Sequence, residues 1–290
     1  MFKDFCRKWV IPPEWYRLLG KIRHGFSSHR SKSSPDILNF KDAHKGQRCF
    51  ILATGPSINQ MDLTVLKGEI SIAVSFFGYH KDISIIRPRY YVAAPLHSPL
   101  TESHALRYLN LFHQFKDQWT MDLFFGINEY LYAFDKVISK HSEIQLPPFH
   151  YIDYQNSDGI TELNRDNASI WDPLARPYSI FTSVSEALLL AAYMGFQEVY
   201  LLGCDYNYMK DLEGKKNQHF YSDNMALEGR ENLLKVQNPL ETFFVNSAGL
   251  WKHYRLIKEH FAGENRDIFN ASPDSSFDMF KKIRFEDIFD

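Results

Sequence analysis

Three observations predict a doubly wound α/β fold, in which helices cover both faces of a mostly parallel sheet. Short apolar runs end in small or polar turns, as in Cys49-Phe50-Ile51-Leu52-Ala53 before Thr54-Gly55-Pro56-Ser57. Stretches with helical apolar spacing alternate with these runs, and such alternation places a parallel sheet between helical layers. The segment from Ser183 to Gly203 is the clearest unit, reading as a helix, a stop and the next strand. With 290 residues, 44% hydrophobic and 16% aromatic, the chain can bury one large core. Residues 1–45 read as a basic aromatic arm and linker, and 46–290 as one Rossmann-like nucleotide-binding domain.

In the domain the first strand is Cys49 to Ala53, apolar throughout as expected of a strand buried on both faces. Further strands are expected at Ile70 to Ser75, Tyr90 to Ala93, Leu123 to Gly126 and Tyr151 to Tyr154. The spacing predicts helices over Ser103 to Phe115 and Glu129 to Lys140. From Ser183, the apolar positions Val184, Ala187, Leu188, Ala191 and Ala192 lie on a helix that Gly195 stops. Val199 to Leu202 is the next strand, and a helix over Ser247 to Phe261 and a strand at Ile268-Phe269 follow.

The net charge of −2 gives no global reason to expect nucleic acid. Locally, residues 1–32 carry Lys3, Arg7, Lys8, Arg17, Lys21, Arg23, Arg30 and Lys32 against Asp4 and Glu14. These cations are interleaved with Trp9 and Trp15 and precede a polar linker ending at Pro35. The pattern fits an interfacial membrane anchor, or else an arm that packs on the domain or on a partner. Three cysteines, Cys6, Cys49 and Cys204, make no disulfide framework and suit a reducing compartment. No apolar run reaches the length of a membrane span, and no signal-peptide pattern is present. The expected location is cytoplasmic, with peripheral contact at the inner face of the cytoplasmic membrane through residues 1–35.

Candidate chemistry gathers at two turns far apart in the chain. Gly55-Pro56-Ser57 follows a strand, and its glycine lets a ligand approach while its N–H groups suit a phosphate. The alternative is an ordinary structural turn, because neither the Rossmann glycine fingerprint nor the lysine-bearing phosphate loop is present. Thr182 and Ser183 read as a helix cap that can also hold a phosphate or a ribose hydroxyl. Asp205 follows Gly203 at a strand end, where a carboxylate accepts from ribose. Tyr206, Tyr208 and the loop Gln218-His219-Phe220-Tyr221 come next, and a loop histidine among phenols is a candidate proton-transfer group. HExxH, paired CxxC, GxSxG, kinase signatures and a DxD motif are all missing from the chain. No metal ligand set is therefore assigned, and a transfer of this kind needs no cofactor.

These residues, with Gly195 and Asn270-Ala271-Ser272-Pro273, resemble the superfamily of 6-hydroxymethylpterin diphosphokinase MptE-like proteins, in the branch found with bacterial surface-polysaccharide genes. More distantly the chain is similar to the metal-independent bacterial sialyltransferases that use CMP-sialic acid. The resemblance runs from about Gln47 to the C-terminus. It implies Gly55, Pro56, Ser57, Ser75, Thr182, Ser183, Gly203 and Asp205 as nucleotide-binding residues. His219 is implied as the general base, with Tyr206 stabilising the departing phosphate and Tyr221 as a second phenol. Thr54 and Ser75 stand where asparagines are usual, and Val184 stands where a glycine is usual; His219-Phe220-Tyr221 is closer to the polysaccharide-associated branch.

The function so implied is a glycosyltransferase of surface polysaccharide or lipopolysaccharide synthesis. It would move a sugar from a nucleotide-activated donor, CMP-linked in the sialyltransferase likeness, to a glycan or lipid-linked acceptor. Two alternatives stay open: a magnesium-dependent diphosphokinase of the 6-hydroxymethylpterin type, and a non-catalytic nucleotide-binding assembly protein. For the arm, removal of residues 1–35 is expected to release the protein from acidic liposomes in a sedimentation assay, and high salt to mimic the deletion. A full-length protein that ignores such liposomes at low salt would leave the arm a packing or partner element.

Overall fold

Parallel pairing accounts for every strand of the sheet in the computed structural model, which describes residues 31–97, 100–155, 170–177, 182–210, 217–222 and 239–290. The strands are β1 (Arg48–Leu52), β2 (Ser71–Val74), β3 (Tyr90–Ala93), β4 (Asp122–Ile127), β5 (Phe149–Asp153), β6 (Glu198–Leu202), β7 (Asp267–Asn270) and β8 (Lys281–Lys282). Their order is β5-β4-β3-β2-β1-β6-β7-β8. The chain therefore builds outward from β1 in one direction, returns to β1's other side as β6, and builds outward again. At that reversal β1 and β6 pair in register along their length, from Arg48 with Glu198 to Leu52 with Leu202.

Side-chain alternation explains why these runs are apolar throughout. Cys49 and Ile51 of β1, Ile72 and Val74 of β2 and Val199 and Leu201 of β6 enter one core, under α4 (Ser183–Tyr193) and α5 (Pro239–Gly263). Phe50, Leu52, Ala73, Tyr200 and Leu202 enter the other. That second face is covered by α1 (Ile83–Ile86), α2 (Glu102–His113) and α3 (Phe134–Lys140), together with 3-10 turns at Pro56–Gln60 and Leu63–Leu66. A strand with a core on each side has no polar face to keep. The fold is the doubly wound α/β arrangement read from the sequence.

Boundaries shift for local reasons. The helix expected from Glu129 begins at Phe134, because Asn128 Oδ1 accepts the Tyr130 N–H at 3.1 Å and turns the chain first. The last long helix starts at Pro239, ahead of the expected Ser247, where a proline's fixed φ suits the first turn. β8 has only Lys281 and Lys282 and no apolar run to announce it. Most of the expected arm lies outside the described residues.

Part of the expected linker belongs to the domain, whose compact unit begins at Ser33. Ser34 N–H donates to the Tyr151 carbonyl at 2.9 Å, and Ser34 Oγ accepts the Tyr151 N–H at 2.8 Å. Ser33 Oγ accepts the Asp153 N–H at 2.9 Å, so this segment satisfies the outer edge of β5. Ile37 is then fully buried. A truncation that tests the arm without stripping β5 stops at Lys32.

His150 of β5 anchors the same segment. Its ring lies 3.0 Å from the Asp36 carboxylate and 3.3 Å from that of Asp122. Burial opposes the imidazolium, but the hydrogen bonds and charges of Asp122 and Asp36 outweigh it and raise the pKa. A histidine raised in the folded state stabilises it fully below the unfolded value of about 6.5, and the gain is lost as pH rises through the folded value. Asp122→Asn is therefore expected to cost more stability in urea melts at about pH 5.5 than at about pH 8.5. Equal losses at both pH values would mean that His150 is neutral.

Candidate functional site

Neighbouring strands whose connections leave in opposite directions open a crevice beyond their carboxyl ends, where ligands of doubly wound sheets bind. Here that place lies beyond Leu52 of β1 and Leu202 of β6. Ala53-Thr54-Gly55-Pro56-Ser57 leaves one strand and Gly203-Cys204-Asp205-Tyr206 leaves the other, so topology brings the two turns singled out in the sequence side by side.

They touch closely. Ala53 N–H donates to the Leu202 carbonyl and Gly55 N–H to the Gly203 carbonyl, both at 2.8 Å. A Cβ on Gly55 would lie 2.5 Å from the Gly203 oxygen and 2.6 Å from Asp205 Cγ. Gly203 itself has φ +70°, and a Cβ there would lie 2.8 Å from the Ala53 oxygen. Gly55 was expected to make room for a ligand. Instead it makes room for the second loop of the protein, so a bulky residue there would disturb the fold together with any site.

Asp205 and Ser57 meet at the same joint. The Ser57 N–H donates to Asp205 Oδ2 at 2.9 Å, and Ser57 Oγ donates to Asp205 Oδ1. Asp205 is 5% exposed and Ser57 4%. The carboxylate expected to receive a ribose, and the serine expected to meet a phosphate, are partners of each other across 148 residues of chain. Burial raises the Asp205 pKa while the two bonds from Ser57 restrain the rise. Pro56 opens the 3-10 turn Pro56–Gln60 just beyond.

On the α4 side of the sheet a chain of hydroxyls forms. Thr182 is the N-cap of α4, its Oγ1 accepting the Ser185 N–H at 3.2 Å. The same Oγ1 lies 2.9 Å from Tyr254 OH, which is hydrogen-bonded to Tyr206 OH. Ser75, just past β2 with φ 52°, donates to Ser183 Oγ at 3.0 Å. Structure thus joins Ser75 with Ser183, and Tyr206 with Thr182 through Tyr254. Burial first, and then the neighbouring Tyr254 hydroxyl, push the Tyr206 phenol well above its ordinary value. Its hydroxyl is engaged by Tyr254, which links the second exit loop to the Thr182 cap of α4.

On the opposite side, His219 lies against β1. Its Nδ1 is 2.9 Å from Thr54 Oγ1, and the Phe220 N–H donates to the Thr54 carbonyl at 2.9 Å. Asn217 Oδ1 accepts the His219 N–H at 3.0 Å, and Asn217 Nδ2 donates to the Tyr221 carbonyl at 2.6 Å. Tyr221 stacks on the imidazole, with ring centroids 5.1 Å apart and planes 12° apart. A histidine so held has a fixed ring plane, which a proton-transfer group needs.

Several residues of this site carry no sequence signal of function. Tyr254 is one, although a fully buried tyrosine on the apolar stripe with Ile257 and Phe261 has to find a partner for its hydroxyl. After β7, Ser272 Oγ accepts the Cys204 N–H at 2.8 Å, Ser275 Oγ donates to the Cys204 carbonyl at 2.7 Å and Ser276 N–H donates to the Asp205 carbonyl at 2.8 Å. Asn270, 1% exposed, donates to Ser275 Oγ and accepts from the Ser272 N–H. The late Asn270-Ala271-Ser272-Pro273 motif therefore supports the Gly203–Tyr206 loop from behind.

Among the described residues no group of three or more His, Cys, Asp or Glu is placed to hold a metal ion, and no helix is long and apolar enough to cross a membrane. What the fold and crevice define is the class, a doubly wound α/β protein with its candidate ligand site at the switch point. No protein-family model matches the chain, and no curated protein matches it.

The Ser57–Asp205 pair can be measured. Asp205→Asn and Ser57→Ala are each expected to lower unfolding free energy by about 1–3 kcal/mol, the usual cost of an unmade buried hydrogen bond. A double-mutant cycle should show strong coupling between them. Additive losses would mean that the two loops are held together by backbone contacts alone.

Proposed function

We propose that the chain is a glycosyltransferase of surface-polysaccharide synthesis, moving a sugar from a nucleotide donor to a hydroxyl of a glycan or lipid-linked acceptor. The observation that carries this reading is His219, fixed by Thr54 and Tyr221 at the mouth of the switch-point crevice. In the tautomer whose Nδ1–H donates to Thr54 Oγ1, Nε2 is the basic nitrogen of the ring. The acceptor oxygen then bonds to the anomeric carbon as its proton passes to Nε2. The anomeric C–O bond to phosphate breaks, and its electron pair leaves on the phosphate oxygen. The positive end of the α4 dipole, with the first-turn N–H groups that Thr182 and Ser183 introduce, favours the charge that develops there.

Support comes also from the likeness to MptE-like proteins and to CMP-sialic acid sialyltransferases, which implies these same loops. Against a magnesium-dependent diphosphokinase stands the state of the crevice carboxylate, since Asp205 is taken up by Ser57 and a triphosphate needs metal-holding carboxylates. The basic aromatic arm fits an acceptor presented at a membrane surface.

Turnover assays with CMP-, UDP- and GDP-linked sugars test the reading. His219→Ala is expected to lower kcat by roughly two to four orders of magnitude with donor binding retained. Thr54→Val, which leaves the imidazole but removes its hydroxyl partner, should reduce kcat to a smaller extent. Undiminished turnover in a folded His219→Ala protein would remove the histidine from the mechanism.

A further inference from the structure

Beside His219 an aromatic surface runs from Tyr221, whose ring stacks on the imidazole, to Phe76 and Tyr79, which the transfer chemistry does not use. Past the end of β2, the rings of Phe76 and Tyr79 stack with centroids 5.7 Å apart and planes 12° apart. Tyr221 meets them edge-on at 6.2 and 5.7 Å. Behind this surface, Phe76 stacks on Tyr108 of α2 at 4.2 Å. Arg107 lies over the Phe76 and Tyr79 rings at 4.3 and 5.4 Å, and its Nε donates to Tyr79 OH at 3.2 Å.

Exposure separates the members of the cluster. Phe76 is 9% exposed and serves as the floor, whereas Tyr79 is 42% exposed. A ring braced by a stacked neighbour and by a hydrogen bond to its hydroxyl, yet left open, gives rigid contact area at little entropic cost. The negative face of such a ring attracts the slightly positive C–H groups on one face of a pyranose. Tyr221 continues this surface directly to the imidazole, its ring stacked on His219. The start of α4 packs through Val184 on the other core of the sheet, with the Ser183 hydroxyl bonded to Ser75 at its end, so a donor phosphate there and a sugar here would approach from different sides.

Resting on the transferase reading, we propose that Tyr79 and Tyr221 form a saccharide subsite that seats the acceptor's sugar ring beside His219, with Phe76 and Arg107 holding the Tyr79 ring in place.

Saturation-transfer NMR on the full chain tests this with methyl glycosides of glucose, galactose, N-acetylglucosamine and glucuronic acid as probes. At least one glycoside should receive saturation on the ring protons of one face. Tyr79→Ala should weaken its apparent affinity about tenfold, while Tyr79→Phe, which keeps the ring, should stay within about twofold. No saturation of any of the four by the native protein would overturn the subsite. So would unchanged affinity in folded Tyr79→Ala, or displacement of the sugar by CMP or UDP, which would assign the rings to a nucleobase. Sugar binding without transfer from any donor would sink the transferase reading and leave the subsite standing. His219-dependent turnover with an acceptor KM indifferent to Tyr79→Ala would do the reverse.

Discussion

The Ser57–Asp205 contact closes the place where the strand order reverses, and the rest of the crevice is arranged around it. Two parallel strands diverging into opposite crossovers leave their exit loops without ladder partners, and buried backbone groups there need other ones. The Gly55 N–H finds the Gly203 carbonyl, and Asp205 takes both the N–H and the hydroxyl of Ser57. The approach is so close that neither Gly55 nor Gly203 has room for a side chain. Once the loops are joined, Thr54 and Tyr206 are carried to fixed positions on the two sides of the sheet.

Each side then has its own device. Thr54 reaches the loop of residues 217–222 through its carbonyl and its hydroxyl, which sets the plane of His219 and the stacking of Tyr221. Tyr206 reaches Tyr254 of α5, and Tyr254 reaches Thr182 at the start of α4. The hydroxyl chain couples the second exit loop to a helix N-terminus, where a dipole favours negative charge. His219 and the start of α4 thus stand on opposite sides of one closed pair of loops. In the transferase we propose, that separation would place the base and the charge-stabilising helix start on different sides of the reacting bond.

The last part of the chain holds the second loop in place. Ser272 and Ser275, both bonded to Asn270, satisfy the two backbone groups of Cys204, and Ser276 donates to the carbonyl of Asp205. The segment after β7 therefore supports the second exit loop from behind. The opposite edge is closed by Ser33 and Ser34, which cover β5 and begin the folded unit.

Much of the fold was written in local pattern. Continuous apolar runs such as Cys49 to Ala53 and Val199 to Leu202 specify strands buried on both faces, and the spacing from Val184 to Ala192 specifies the helix between, because burial periodicity needs no knowledge of distant partners. His219 and the turns at Gly55 and Thr182 were likewise legible as polar residues at strand and helix ends. What each does was not. Glycine reads the same whether a ligand or another loop fills the space beside it, and a strand-end aspartate reads the same whether ribose or Ser57 takes its oxygens. Tyr254, Ser275 and Ser276 look like core or surface filler until the sheet order sets them beside the crevice, and Thr54 and Ser272 are marked in the sequence without a partner to explain them. Their roles depend on hydrogen bonds between residues tens to hundreds of positions apart, and only the tertiary structure decides which buried hydroxyl meets which partner.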